Sequence, residues 1–78
     1  MKKTKKLIGK VTSIADLFNR ASTEPQYAQL AMISASNLGG NCKDLAEAKQ
    51  WLYCNANEGL AGEEGVVDEI NFCRDLVK

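Results

Sequence analysis

The chain has 78 residues, with ten basic and ten acidic side chains and no histidine, a length with room for one hydrophobic core and one domain. Hydrophobic residues make up 45% and charged residues 26%, the mixture of a folding globular chain and not of a disordered one. No stretch approaches the roughly 18 apolar residues of a membrane span, and Lys10, Thr12 and Ser13 interrupt the apolar run after the first lysines, so the sequence reads as cytoplasmic, without export signal or membrane attachment.

Residues 1–10, MKKTKKLIGK, read as a basic arm. Lys2, Lys3, Lys5, Lys6 and Lys10 give it a charge of +5, and residues 11–78 carry five basic against ten acidic side chains, hence −5. Exposed ion pairs contribute only about 0–1 kcal/mol each, so stability does not account for the arm. Lysines without interleaved aromatics or arginines suit sequence-independent attraction to phosphate. A solubilising terminus is the plainer role.

Residues 11–78 read as a single helical domain. The first helix, about Ser13–Ala21, has Ser13 as N-cap, places Ile14, Leu17, Phe18 and Ala21 on one side, and sets Asp16 and Arg20 one turn apart. The second starts in STEPQYAQL, with Thr23 as N-cap, Gln26 completing a capping box and Pro25 in the first turn. It repeats Tyr27, Leu30, Ala31, Ser34 and Leu38 at helical spacing and ends at Gly39 or Gly40. In the third, Asn41 caps CKDLAEAKQWLYCN, with Asp44 in the first turn and Leu45, Ala48 and Leu52 on one face. A long, loose connection, NEGLAGEEG, leads to the fourth, from about Glu63 to the C-terminus, where Val66, Ile70, Cys73 and Val77 align. The fold expected is all-α, a compact bundle of four short helices carrying a Lys-rich N-terminal arm.

Residue chemistry narrows the function. Cys42, Cys54 and Cys73 are an odd count without a C-x-x-C pair, so free thiols are expected and no metal is assigned. Cys73 falls on the apolar face, and Cys42 is the one thiol near a helix N-terminus. Without histidine no usual base activates a nucleophile, so no catalytic residue, no cofactor and no enzymatic activity are expected. The carboxylates Glu58, Glu63, Glu64, Asp68, Glu69 and Asp75 lack the alternation of a calcium loop, and GLAGEEG is too acidic to cradle phosphate.

What remains is an apolar surplus. At about 100° per residue, Trp51 lies about 80° from the centre of its core stripe, Tyr53 about 120°, and Met32 nearly opposite the Tyr27/Leu38 face. Phe72 and Leu76 form a second stripe beside Val66 and Ile70. Trp51 and Phe72 read first as widening the core, whereas Tyr53 and Met32 are the hardest to bury. With Glu63 and Glu64, these side chains are the expected partner-binding set. The expectation is a non-enzymatic helical interaction module, an inhibitor or adaptor of a larger complex, of the kind viruses and plasmids encode against host machinery. The alternative is a nucleic-acid-associated module that holds phosphate through Lys2, Lys3, Lys5, Lys6 and Lys10.

Overall fold

A computed structural model of the chain describes residues 8–59 and 62–77. Its first helix, α1 (Ile14–Ala21), begins where the sequence expects: Ser13 is extended, and its hydroxyl accepts from the Asp16 amide at 3.0 Å. That bond satisfies one of the four amides a helix start leaves without an internal partner. Asp16 and Arg20 do pair, at 3.1 Å.

The second helix, α2 (Pro25–Asn37), starts differently from the capping box expected of Thr23 and Gln26. Glu24 is the N-cap, without a side-chain bond, and Pro25 is the first helical residue. The reason is local: a residue before proline is pushed out of the helical region, and Glu24 is extended at φ −124°. Helix formation therefore waits for Pro25, whose missing N–H costs nothing there. At the other end the helix closes in a double turn, with the Gly39 amide donating to Ser36 O at 3.0 Å and the Gly40 amide to Ala35 O at 2.8 Å. Gly39 sits at φ +91°, the left-handed region this closure requires and glycine tolerates.

In the third helix, α3 (Leu45–Glu58), the cap is Asp44 and not Asn41. Asp44 Oδ1 accepts from the Glu47 amide at 2.9 Å, while Glu47 Oε1 accepts from the Lys43 amide at 2.8 Å. An Asp with a Glu three residues on satisfies two amides at once, which a lone Asn41 cannot. Cys42 is consequently left outside the helix. The fourth helix, α4 (Gly62–Phe72), follows after residues 59–61 only and tightens into a 3-10 turn at Cys73–Leu76. The expected long loop is thus mostly absorbed into the two helices.

Val11, Ile14, Leu17, Tyr27, Leu30, Ala31, Ala35, Ala48, Leu52, Val66, Ile70, Cys73 and Val77 are among the buried side chains of one continuous core. Uncharged α2 lies at its centre, touching α1, α3, α4 and the 3-10 turn. Ala31 and Ala35, both fully buried, allow close approach of the neighbours. Ser34 is buried too, and its hydroxyl donates to Leu30 O at 2.8 Å. Among the described residues, no buried side-chain nitrogen or oxygen lacks a partner, as a native interior requires.

Of the expected basic arm, residues 1–10, only 8–10 fall among the described residues. Ile8, Gly9 and Lys10 lie against the body: the Asn71 side chain accepts from the Val11 amide at 2.9 Å and donates to Val11 O at 3.0 Å. Arg74 donates to Ile8 O, and the Tyr27 hydroxyl donates to Gly9 O at 3.2 Å. Lys10 is exposed, whereas Lys2, Lys3, Lys5 and Lys6 lie outside the described residues.

Candidate functional site

The six side chains expected to bind a partner do not converge. Trp51 and Tyr53 are two residues apart on α3, and about 200° of helical rotation puts them on opposite flanks. Met32 and Tyr53 are half-buried and packed against the core, so the two positions expected to resist burial contribute largely to packing. The bundle is small enough for its neighbouring helices to reach partway around α2 and α3.

Glu63 is also engaged. Its Oε2 accepts from the Ile14 amide at 3.1 Å, the first helical amide of α1, while Glu63 itself stands in the first turn of α4. One carboxylate thereby serves the positive ends of two helices, where negative charge is favoured.

Phe72 departs most from expectation. Read first as core, it is 76% exposed, and Leu76, one turn on, is 49% exposed. Their neighbours on the inner face, Ile70 and Cys73, are fully buried. Counting back in steps of four from Leu76 gives Phe72, Asp68 and Glu64, all exposed. Steps of four follow one ridge of an α-helix, which joins Glu64, Asp68 and Phe72 on α4. The 3-10 turn beyond it adds the exposed Leu76, so the outer surface is a stripe acidic at its start and apolar at its end. Asp75, also exposed, flanks the apolar end. Glu69 is not part of the stripe. Half-buried, it reaches toward the end of α2, where its Oε2 accepts from Asn37 Nδ2 at 3.4 Å and lies 3.7 Å from Cys73 Sγ.

Trp51 has a different setting. Its indole lies against the end of α2, so that a Cβ added to Gly40 would come 2.8 Å from the ring and 3.0 Å from Ala35 O. The indole's free edge walls an open groove of about 360 Å³, shared with Cys42, Glu47, Gln50 and Cys54. Cys54 is exposed and Cys42 half-buried. Among the described residues no three potential ligands come together as a metal would need.

Cys73 is the small core residue the sequence indicates. Burial pushes its thiol pKa up, partly opposed by the hydrogen bond that Asn37 Nδ2 donates to Sγ at 3.0 Å. A raised pKa keeps a thiol protonated and unreactive. Asp16 is shifted the other way, lowered first by the Thr12 amide that donates to it at 3.0 Å and also by Arg20. Arg20 in turn lies 5.4 Å from the centre of the Tyr27 ring. These are supports of the first helix and not groups poised for proton transfer.

No helix among the described residues is long and apolar enough to cross a membrane. No family model matches the chain, and neither the curated proteins nor the solved structures provide a match.

Proposed function

We propose that the protein is a non-enzymatic helical interaction module, an inhibitor or adaptor, that engages another protein through the outer stripe of α4 and the 3-10 turn. One observation carries the reading: Phe72, at the end of α4, and Leu76, in the 3-10 turn after it, are exposed large apolar side chains beside the buried face of Val66, Ile70 and Cys73. Fully burying an exposed side chain of this kind contributes about 1.5–3 kcal/mol, of which the larger part remains to be gained at Phe72 and about half at Leu76, an appreciable amount beside the modest stability of so small a domain. An aromatic anchor bordered by carboxylates is a suitable centre for a protein contact, with the charges selecting the partner.

The test is capture of binding proteins from the native cell, with and without nuclease, using the intact protein and the double variant Phe72→Asp, Leu76→Asp. A protein retained by the intact chain after nuclease treatment and lost with the variant supports the reading. Retention by both would remove the stripe from consideration. A signal that disappears with nuclease would favour nucleic acid held by the lysine arm instead.

A further inference from the structure

We propose that the protein pairs with itself, residues 1–7 of one copy lying along the Glu64–Asp68–Phe72–Leu76 stripe of a second. The inference rests on reading that stripe as a docking face, and it names an occupant.

Complementarity comes first. The stripe is acidic in one half and apolar in the other, with every member exposed. Arg74 is the one basic side chain in residues 62–77, and it is turned onto the carbonyls of Ile8 and Asn71. A fitting segment is therefore basic at one end and apolar at the other. Residues 2–7, KKTKKL, have that order, Ile8 being packed against the core of its own copy.

Length agrees as well. From Glu64 to Leu76, eight α-helical steps of about 1.5 Å and four steps of about 2.0 Å in the 3-10 turn span roughly 20 Å. The five steps from Lys2 to Leu7, at about 3.3–3.6 Å each when extended, would cover roughly 17–18 Å.

Direction decides between a copy's own stripe and its neighbour's. Val11 is bonded to Asn71 and Ile8 to Arg74. Traced backward, the chain thus moves along α4 toward the 3-10 turn and away from Asp68 and Glu64. Lying on its own stripe would require a reversal. A second copy, related by a two-fold axis near the apolar ends, offers its stripe in the direction the chain already takes. Leu7 then meets Phe72 and Leu76 of the second copy, and the lysines run past Asp68 toward Glu64. Such an exchange is reciprocal and closes as a dimer. A net charge of zero, separated into +5 on residues 1–10 and −5 on the rest, favours association over mutual repulsion.

Sedimentation equilibrium on the full chain tests this. In about 10 mM salt, where charges are felt over roughly 30 Å, the mass should rise from 8.5 kDa toward twice that value with concentration. In about 1 M salt, where the range is roughly 3 Å, the dissociation constant should increase tenfold or more. Two charge-reversed proteins sharpen the test, one with Lys2, Lys3, Lys5 and Lys6 each changed to Glu, the other with Asp68→Lys and Asp75→Lys. Both sites of the second are exposed, and unchanged circular dichroism checks its fold. Each alone should be monomeric, their mixture should form a mixed dimer, and both sets combined in one chain should restore self-pairing. A monomer at every concentration, or a dimer insensitive to either reversal, overturns the proposal. If the intact protein stays monomeric while Phe72→Asp, Leu76→Asp still loses a captured protein, self-pairing fails and the docking face stands. If self-pairing follows the charge reversals and the same variant loses no captured protein, the stripe serves the second copy alone.

Discussion

Helices α2 and α4 are similar in length, 13 and 11 residues, and opposite in chemistry. No residue of α2 carries a charge, and five of its side chains are buried. Helix α4 carries Glu63, Glu64, Asp68 and Glu69 and buries two. The difference separates two kinds of work. Both helices touch the other three and the 3-10 turn, but α2 encloses more of its side chains and holds the fold together, whereas α4 leaves an exposed surface open to recognition.

Truncation is the sharpest way to break this comparison. Leu30→Ala in α2 removes a fully buried side chain and should lower the unfolding free energy by about 2–5 kcal/mol, read from the urea midpoint at unchanged slope. A cost below about 1 kcal/mol would deny α2 its central role. Asn71→Ala, between the two faces of α4, strips both bonds from Val11 and should cost about 1–3 kcal/mol, with faster amide exchange at Val11. Gly40→Ala forces the Trp51 ring from the end of α2, at about 1–3 kcal/mol, and should shift the indole emission.

Acid has a smaller effect. Because the Asp16 pKa is lowered in the folded state, its contribution is complete above the ordinary aspartate value and fades as pH falls through the lowered one. Asp16→Asn should remove that part of the acid dependence by a small loss of stability at neutral pH, where the contribution is complete, and the melting profiles of the two proteins should converge in acid. Phe72→Ala should change stability by no more than about 0.5 kcal/mol, as at an exposed site away from packing. A loss of 2 kcal/mol or more, about what burying a Phe is worth, would mean that Phe72 belongs to the core.

Much of the frame was legible because it is local. Ser13, three residues before Asp16, announces the start of α1, and the spacing of Tyr27, Leu30, Ala31 and Ser34 marks the buried side of α2. The caps of α2 and α3 were misread where two local signals competed: Pro25 overrules Thr23, and the Asp44–Glu47 pair overrules Asn41. Helical spacing could place Phe72 beside a core stripe, yet it could not say whether another helix would cover it. It likewise could not show that Glu63 would be used internally by Ile14. The clamp on residues 8–11 was invisible for a related reason, since Asn71 and Val11 are 60 positions apart and nothing in either neighbourhood marks the other.

The carboxylate of Glu63 has a consequence for how the chain acquires its structure. Ile14 gains its partner only when residue 63 is in place, and Val11 only when residue 71 is. The start of α1 and the segment before it thus depend on side chains 49 and 60 positions away for these two backbone bonds. Fragments without α4 would leave Ile14 and Val11 without these partners, so shortening one end of the fold should loosen the other.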